Sequence, residues 1–380
     1  MAKRILIFSP AYFPAVGGAE VAVKEITDRL GADFTFEMIT ARLDPQLPVE
    51  EKIGSVLVHR IGRGTAFDKF RLILSGPKAA AKLGGFDATW AIMASYGGFA
   101  ALRYKKQHPT VPLLLTLQEG DSKWHIYKHV WWCWWYFKQI FTAANRIQAI
   151  SSTLKNWAVK LGAKNFVSVI PNGVMIERFQ QTDSAVREKA VTSVRSELGI
   201  PLDSKIIFTV SRLVPKNGVG DIIRSLYHLP NSVCLVIAGS GELESELRRL
   251  AVINKVTERV HFLGSKSHDE VPRYLWASNV FCRPSLSEGL GNSFLEAMAA
   301  GTPVIATPVG GIPDFLIDGV TGWFCKVKSP TSIAEKVLFL LREENKAKVD
   351  HVAENARKLI NEKYTWETVA AEMRKIFETL

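Results

Sequence analysis

The sequence lacks the long apolar runs and the cysteine patterns that would assign it to several protein classes. In 380 residues, no apolar stretch reaches the roughly 18 residues that a membrane-spanning helix needs. No cleavage-site pattern follows the first apolar run, Ile5–Phe8, so we expect no signal peptide. The four cysteines show neither close pairing nor metal-ligand spacing. These absences argue against a membrane-spanning protein, a disulfide scaffold and a zinc module, and they make the cytoplasm the expected compartment.

Acidic residues are scarce in only one half of the chain. The net charge is +11, from 48 Lys and Arg against 37 Asp and Glu. Residues 1–175 hold 22 of these cations and 12 of the acids, so this half carries nearly all of the excess. A basic half indicates an anionic membrane, a phosphorylated ligand or a nucleic acid, unless it is only a solvated surface. No nucleic-acid recognition module accompanies it, so we expect no nucleic-acid partner.

Hydrophobic residues make up 47% of the chain and fall in short runs that alternate with helical patterns. Several runs are unbroken β-branched or aromatic stretches, which is typical of parallel strands covered on both faces. The pattern occurs twice, so it predicts two successive doubly wound α/β sheets. The predicted strands are 5–9, 34–40, 56–61, 88–93, 113–117, 147–150 and 167–170, then 206–210, 233–238, 260–263, 279–283 and 303–306.

Two segments mark the predicted domain limits. The boundary falls near Pro171-Asn172-Gly173 and the polar stretch Gln180–Ser196 that follows. The tail Tyr364–Leu380 has apolar residues at helical spacing, so it should form an amphipathic helix whose apolar face packs on a domain. We therefore predict one domain at residues 1–175 and the other at residues 176–363.

A glycine pair lies between the first predicted strand and the first predicted helix. Gly17 and Gly18 precede a helical run from Glu20 to Leu30. Glycine lets the backbone approach a ligand closely, and a helix N-terminus favours an anion. The spacing is not the Gly-x-Gly-x-x-Gly fingerprint of dinucleotide-binding proteins, which disfavours a hydride-transfer enzyme.

The second half opens with a similar strand and loop. Arg212 and Lys216 come directly after the predicted strand 206–210, at the edge where open α/β sheets bind ligands. Cations at that position suit a diphosphate. Gly239 follows the next predicted strand and precedes another helical run.

The most informative segment is Pro284–Gly301, in which a strand ends, a glycine loop follows and a helix starts near Asn292. Backbone N–H groups of the first helical turn would point at a phosphate. Glu288 lies in the loop, and Glu296 lies about one turn into the helix. Two carboxylates beside a phosphate site predict contacts to ribose or sugar hydroxyls, whereas either one alone could be a solvent-exposed acid.

The spacing of Glu288 and Glu296, with the run Glu-Ala-Met-Ala-Ala-Gly that starts at the second, resembles the retaining GT-B glycosyltransferases of the family 4 type. The resemblance covers nearly the whole chain. It includes Gly-Gly-Ala-Glu at 17–20, Pro-Asn-Gly-Val at 171–174 and Asp-Gly-Val-Thr-Gly at 318–322.

The resemblance implies two Rossmann-like domains that face a cleft. The nucleotide sugar would lie mainly on the C-terminal domain and the acceptor mainly on the N-terminal one. The last helix, about 364–380, would cross back and pack on the N-terminal domain. No metal is required in this class, and the sequence contains no Asp-x-Asp triad.

The family's functional residues map onto matching positions of this chain. Glu288 would lie near the transferred sugar, and Glu296 would bind the donor ribose. Arg212 would bind the diphosphate. The residues that match the family's phosphate-binding loops are Gly17, Gly18, Gly291, Asn292 and Ser293. Gly239, on the glycine turn after the second strand of this half, is a further candidate for donor binding.

Two positions depart from the family pattern. The family usually has a lysine five residues after the arginine, where this chain has Asn217, with Lys216 one place earlier. Many relatives carry a histidine where this chain has Gln118, which cannot exchange a proton. Gln118, Glu119 and Asp121 are therefore the candidate residues on the acceptor side.

The expected activity is transfer of a hexose from a nucleoside diphosphate sugar to a hydroxyl of a glycan or lipid-linked acceptor. GDP-mannose, UDP-glucose and UDP-N-acetylglucosamine all remain open as donors, and we expect no cofactor besides this co-substrate. Arg212, Lys216 and helix N-termini would stabilise the leaving diphosphate, and Glu288 would hold the sugar. The alternatives are a nucleotide-sugar epimerase or phosphorylase on the same scaffold, or a non-enzymatic nucleotide-sugar binder.

Tryptophan is concentrated in one segment, Trp124–Phe141, which we predict to be one helix with two unlike faces. The predicted core stripe is Ile126, Val130, Cys133, Phe137 and Ile140. The opposite face holds Trp124, Lys128, Trp131, Trp135 and Lys138. Trp and Lys together suit a membrane interface, so we predict peripheral binding to the inner face of an anionic membrane. The alternatives for these tryptophans are another loop, a dimer partner or a soluble sugar acceptor.

Overall fold

The chain folds into two compact units, described here from a computed structural model that covers residues 2–164, 166–180 and 183–380. The first unit comprises the chain up to Gly173 together with Trp366–Leu380. The second unit comprises Val174–Thr365. Each unit contains its own sheet with helices around it, which confirms the prediction of two doubly wound α/β sheets.

The described residues of the first unit form an eight-stranded sheet in the order β3-β4-β2-β1-β5-β6-β7-β8. Its strands are β1 (Lys3–Ser9), β2 (Phe34–Ala41), β3 (Glu50–Ile53), β4 (Val56–Ile61), β5 (Ala88–Ile92), β6 (Leu113–Leu117), β7 (Arg146–Ala149) and β8 (Val167–Val169). The strands pair in parallel except for β3, which is antiparallel to β4. We did not predict β3, because this edge strand is polar and half exposed and therefore lacks the apolar run that marks the others.

Helices of the first unit cover the sheet, and the chain's last helix is one of them. They are α1 (Gly18–Leu30), α2 (Asp68–Lys82), α3 (Tyr96–Gln107), α4 (Lys123–Val130), α5 (Trp134–Ala143), α6 (Ser152–Lys160) and the C-terminal helix (Trp366–Thr379). Phe377 of the C-terminal helix is fully buried, with its ring 5.2 Å from that of Trp90 and 5.6 Å from that of Phe34. The predicted return of this helix to the N-terminal part of the chain is confirmed.

The segment Trp124–Phe141 is not one helix, so that prediction was wrong. Helix α4 ends at Val130, a 3-10 turn spans Trp131–Cys133, and α5 begins at Trp134. The break is stabilised locally, because the indole N–H of Trp132 donates to the carbonyl of His129 at 3.0 Å and thereby replaces a helical hydrogen bond. Phe137 and Ile140 are buried as predicted, but the predicted core residues Ile126, Val130 and Cys133 are only partly buried.

The described residues of the second unit form a six-stranded sheet in the order β11-β10-β9-β12-β13-β14. Its strands are β9 (Lys205–Val210), β10 (Val233–Ala238), β11 (Val260–Phe262), β12 (Val280–Arg283), β13 (Val304–Ala306) and β14 (Trp323–Phe324), all paired in parallel. Strand order reverses between β9 and β12. In open α/β sheets, ligands bind outside the carboxyl ends of the strands at such a switch point.

Helices surround the second sheet. They are α7 (Ile176–Phe179), α8 (Ser184–Leu198), α9 (Val219–Ser225), α10 (Glu244–Ile253), α11 (Val271–Ala277), α12 (Asn292–Ala299), α13 (Pro330–Leu341) and α14 (Lys346–Lys363). Most of the polar stretch Gln180–Ser196 lies in α8, which Asp183 caps by accepting from the N–H of Ala185, whereas residues 181 and 182 lie outside the described part. Among the described helices, none combines the length and apolarity needed to cross a bilayer.

Candidate active site

Loops that follow the strands on both sides of the second unit's switch point contact one another. The N–H of Leu286, after β12, donates to the carbonyl of Lys216, after β9, at 2.6 Å. The N–H of Leu213 donates to the carbonyl of Ser240, after β10, at 2.9 Å. These backbone contacts bring together three of the loops on which the sequence analysis had placed candidate donor-binding residues.

Arg283, the last residue of β12, links the candidate residues of this edge, although the sequence pattern did not predict a role for it. Its guanidinium donates to the Ser293 hydroxyl at 2.7 Å, to the Ser285 hydroxyl at 3.2 Å and to a carboxylate oxygen of Glu288. The same group lies 4.3 Å from the centre of the Phe294 ring. The residue is only 7% exposed, and buried arginines require such partners.

Both carboxylate oxygens of Glu288 are occupied. Oε2 accepts from Arg283, and Oε1 accepts from the backbone N–H of Gly289 at 3.2 Å. The side chain is 14% exposed, so it is largely but not completely buried. A carboxylate held by a buried arginine is fixed in orientation, and the hydrogen bonds to both of its oxygens lower its nucleophilicity.

Glu296 lies one turn into α12, with its side chain 14% exposed. Burial raises the pKa of this carboxyl, whereas the positive charges of His268, Arg283 and Arg178 act to lower it. The Nδ1 atom of His268 is 3.8 Å from a Glu296 oxygen, and this neighbour was not predicted from the sequence either. A carboxyl group set among cations at a helix start can accept hydrogen bonds from a polyhydroxyl ligand.

The departure from the family pattern in the loop after β9, Asn217 in place of the usual lysine, has a structural explanation. The Asn217 side chain is buried and donates to the carbonyl of Arg212 at 2.7 Å. Asn217 therefore shapes the loop, and its amide is not presented to a ligand. The Arg212 side chain is exposed, and Lys216 is partly buried in the 3-10 turn Pro215–Asn217.

Two glycines of this edge have conformations that only glycine adopts readily. Gly239 has φ +133°, and a Cβ there would lie 1.9 Å from the carbonyl oxygen of Ser211. Gly291 has φ +95° and immediately precedes α12. Asn292 and Ser293 form the start of that helix, where the N–H groups of the first turn and the helix dipole favour a phosphate.

In the first unit, Gly17 and Gly18 form the start of α1. Gly17 is extended, and its carbonyl accepts from the N–H of Val21 at 3.1 Å. A Cβ on Gly17 would lie 2.8 Å from a carboxylate oxygen of Glu20, so a larger residue would displace that side chain. The first turn of α1 already contains the Glu20 carboxylate, and contact of Gly17 and Gly18 with a donor stays a prediction.

Gln118 follows β6 in the first unit, at the position of the family's histidine. Its side-chain oxygen accepts from the amide of Asn172 at 3.1 Å. The contact joins the loop after β6 to the Pro-Asn-Gly-Val segment. Gln118 is therefore held in place by Asn172.

Glu119 is the most perturbed acid of the first unit's candidates. One oxygen accepts from the N–H of Ala94 at 2.6 Å, and the other is buried with no hydrogen-bond partner among the described residues. Burial raises the pKa of Glu119 to about 7, and the charge of Asp121, which is itself exposed, acts in the same direction. A carboxyl group with this pKa can hold or release a proton near neutral pH.

We expect Glu119→Gln to change the pH dependence of stability. Because the folded-state pKa lies above the unfolded value, the protonated acid favours folding, and this contribution is lost as pH rises from about 4.5 to above 7. The variant should therefore gain on the order of 2 kcal/mol relative to wild type between pH 5 and pH 8. Urea unfolding across this range measures the difference. Glu378→Gln, at an exposed position of the C-terminal helix in the same unit, is the matched control. A parallel pH dependence of wild type and Glu119→Gln would contradict the assigned pKa.

Within the described residues, no group of three or more His, Cys, Asp or Glu side chains is placed to hold a metal ion.

Two family models match the chain, one on each half. The glycosyl transferases group 1 model matches residues 191–359, and the glycosyltransferase family 4 model matches residues 16–178. The first match contains the loops after β9, β10, β12 and β13, and the second contains α1 and the loop after β6. The candidate residues of both units therefore lie within matched segments.

Similar proteins are found among curated sequences. An uncharacterised glycosyltransferase of Methanocaldococcus jannaschii is 27% identical over 97% of this chain and 96% of its own length. The GDP-mannose-dependent alpha-(1-6)-phosphatidylinositol monomannoside mannosyltransferase of Mycobacterium tuberculosis is 31% identical over 59% of this chain and 58% of its own length.

Two solved structures cover the chain almost completely. Anabaena HepE in complex with UDP and glucose has a TM-score of 0.81 at 18% identity, with full coverage of both chains. Sucrose-phosphate synthase of Thermosynechococcus elongatus has a TM-score of 0.85 at 22% identity, with 99% of this chain and 98% of that one covered. At these identities the similarity establishes the fold.

Proposed function

We propose that this chain transfers a hexose from a nucleotide sugar with retention of anomeric configuration. The chain belongs to the family 4 type of GT-B glycosyltransferases, and it therefore uses a nucleotide-sugar donor. The acceptor is a hydroxyl group of a glycan or of a lipid-linked acceptor. The observation that carries the proposal is the set of contacts around Arg283, which holds Glu288 and the start of α12 together at the switch point of the second sheet.

The donor would bind along this edge of the second unit. The N–H groups at the start of α12 and the side chains of Arg212 and Lys216 would bind the diphosphate. Glu296 would accept hydrogen bonds from the ribose hydroxyls, since its carboxylate is one helical turn from the phosphate end. Glu288 would bind a hydroxyl of the transferred sugar.

The pairing of Glu288 with Arg283 favours front-side attack over a covalent glycosyl-enzyme. The bond between the anomeric carbon and the diphosphate oxygen breaks first, through an oxocarbenium-like transition state. The acceptor oxygen then bonds to the same face of that carbon, and its proton passes to the leaving diphosphate. The protein's contribution is electrostatic, because Arg212, Lys216 and the α12 N-terminus stabilise charge that grows on the leaving group.

The similar proteins differ in the nucleotide that they use or contain. The mycobacterial relative is named for GDP-mannose and a phosphatidylinositol monomannoside, whereas the HepE structure contains UDP and glucose. GDP-mannose, UDP-glucose and UDP-N-acetylglucosamine are therefore the donors to compare. The lipid acceptor of the mycobacterial relative supports including lipid-linked acceptors in the comparison.

The test is release of nucleoside diphosphate from these three donors, with and without lipid-linked acceptors, followed by NMR of the product. We expect one donor to give release that rises with acceptor, and a product with the donor's anomeric configuration. EDTA should leave the rate largely intact. An inverted product would refute retention, and donor binding without release under any condition would instead favour a non-enzymatic nucleotide-sugar binder.

Glu296→Ala should weaken binding of the donor nucleotide. The ribose hydroxyls would lose a charged acceptor, which corresponds to about 1.5–3 kcal/mol of binding free energy. Isothermal titration calorimetry with the nucleoside diphosphate measures this change. Glu335→Ala, at an exposed position of α13, is the matched control. Equal affinity of wild type and Glu296→Ala would remove Glu296 from the site.

A further inference from the structure

Four tryptophans of the first unit are largely exposed and lie within twelve residues of one another. They form what we call the tryptophan surface: Trp124 (71% exposed), Trp131 (74%), Trp132 (70%) and Trp135 (79%). Trp132 was not among the residues predicted for this face. Exposed aromatic patches of this kind mark interaction sites, because so much apolar area in water is unfavourable.

The fold presents these rings away from the core. No residue of α4 is buried, whereas α5 is fixed to the unit through Phe137, Ile140 and Phe141. The 3-10 turn at Trp131–Cys133 lies between the two helices. A groove of about 690 Å³ opens here, lined by Tyr127 and by residues 131–136, so the rings leave space between them.

Lysines accompany two of the rings, and the nearest acid along the chain is Asp121, three residues before Trp124. Lys128 lies 5.4 Å from the centre of the Trp124 ring, and Lys138 lies 5.9 Å from that of Trp135. Residues 122–145 include three lysines and no Asp or Glu. Over residues 88–173 the chain has ten Lys and Arg against two acids, so most of the positive excess of the first unit comes from this part of the sequence.

From this pattern we infer that the tryptophan surface binds an anionic lipid bilayer. Indole rings settle at the depth of the headgroups, and neighbouring ammonium groups meet the anionic phosphates. A second copy of the chain is a poorer occupant, because a symmetric contact would oppose the same lysines without an acid between them. A soluble sugar would stack on one or two rings and would not require the lysines.

The inference does not depend on the proposed transfer reaction, since it concerns a surface formed by α4, α5 and the turn between them. If both hold, membrane binding would bring the first unit, on which the acceptor is expected, close to an acceptor embedded in the membrane. Loss of membrane binding and loss of transfer are therefore separate outcomes, and they are measured separately.

The test is co-sedimentation of the full chain with vesicles of phosphatidylcholine alone and of phosphatidylcholine mixed with phosphatidylglycerol. Wild type should bind the mixed vesicles at low salt and bind the neutral ones weakly. The double variant Trp131→Ser, Trp135→Ser should lower binding about tenfold or more, since two interfacial anchors are removed. Lys128→Glu with Lys138→Glu should have a similar effect, because each lysine near an anionic surface contributes severalfold.

Matched controls separate the surface from general charge and from folding. Lys155→Glu with Lys160→Glu changes net charge equally, but at exposed positions of α6, and should retain most of the binding. A cooperative urea-unfolding transition and an unchanged far-ultraviolet circular dichroism spectrum of each variant check that the first unit remains folded. Failure of wild type to bind anionic vesicles at low salt, or equal binding by wild type and the tryptophan variant, would overturn the inference. Dimerisation that the tryptophan substitutions abolish, without vesicle binding, would assign the surface to a second copy.

Discussion

Arg283→Met is expected to lower the free energy of unfolding by about 3 kcal/mol. The substitution leaves the Glu288 carboxylate largely buried without its cation, and such uncompensated charges are among the most destabilising changes in proteins. It also removes donors to the hydroxyls of Ser285 and Ser293. Lysine should not restore stability, because a single ammonium group cannot reproduce the planar set of donors. Urea unfolding of the full chain measures these effects.

A double-mutant cycle distinguishes this pairing from a simple packing loss. Glu288→Gln keeps the shape of the side chain but removes its charge, so combining it with Arg283→Met should recover part of the lost stability. If the two single effects simply add, Arg283 and Glu288 are not coupled. The proposed orientation of Glu288 by Arg283 would then lose its physical basis.

Arg212→Ala should lower turnover by about 10²–10³-fold. A cation that meets charge developing on the leaving diphosphate matters more in the transition state than in the ground state, and removal of one such donor has an effect of this size. The Michaelis constant for the donor should change less. Steady-state kinetics with the donor identified in the nucleotide-release comparison measures both parameters.

The control for this experiment is Arg342→Ala, an exposed arginine at the end of α13 in the same unit. It should leave both kinetic parameters unchanged. A rise in the Michaelis constant with unchanged turnover would mean that Arg212 only anchors the donor. Lys216→Ala tests the neighbouring cation in the same way. A larger loss of turnover in Lys216→Ala than in Arg212→Ala would mean that Lys216 is the main cation at the leaving diphosphate.

The order of apolar runs was sufficient to predict both sheets, because parallel strands covered on two faces must be apolar throughout. Polar edge strands do not follow this rule, and β3 was therefore not predicted. The break at Trp131–Cys133 was also not predicted. The helical assignment assumed a rotation of 100° per residue throughout, whereas residues of a 3-10 turn rotate by a larger angle. The sequence therefore predicted the exposure of Trp124, Trp131 and Trp135 but not the break in the helix.

The candidate site was predictable where its residues follow one another along the chain. Glu288, Glu296 and the glycine before α12 form one continuous pattern, so their spacing sufficed. Arg283 was missed because it ends an apolar strand and was counted with it, although a charged residue five positions before Glu288 is a usable signal. The raised pKa of Glu119 comes from burial, which segments distant along the chain produce, whereas the N–H of Ala94 acts to lower it. No local pattern contains that environment.

The position of the C-terminal helix has a consequence for the order in which the protein is made. The aromatic rings of Phe34 and Trp90 leave the ribosome early, but the ring that packs between them, Phe377, is translated hundreds of residues later. The ammonium group of Lys3 donates to the carbonyl groups of Phe377 and Glu378, so these hydrogen bonds also form only after the C-terminal helix is translated. The second unit has all of its own residues available before Trp366 is added. The unit that is synthesised first is thus completed last, and until then the rings of Phe34 and Trp90 lack the packing that Phe377 provides.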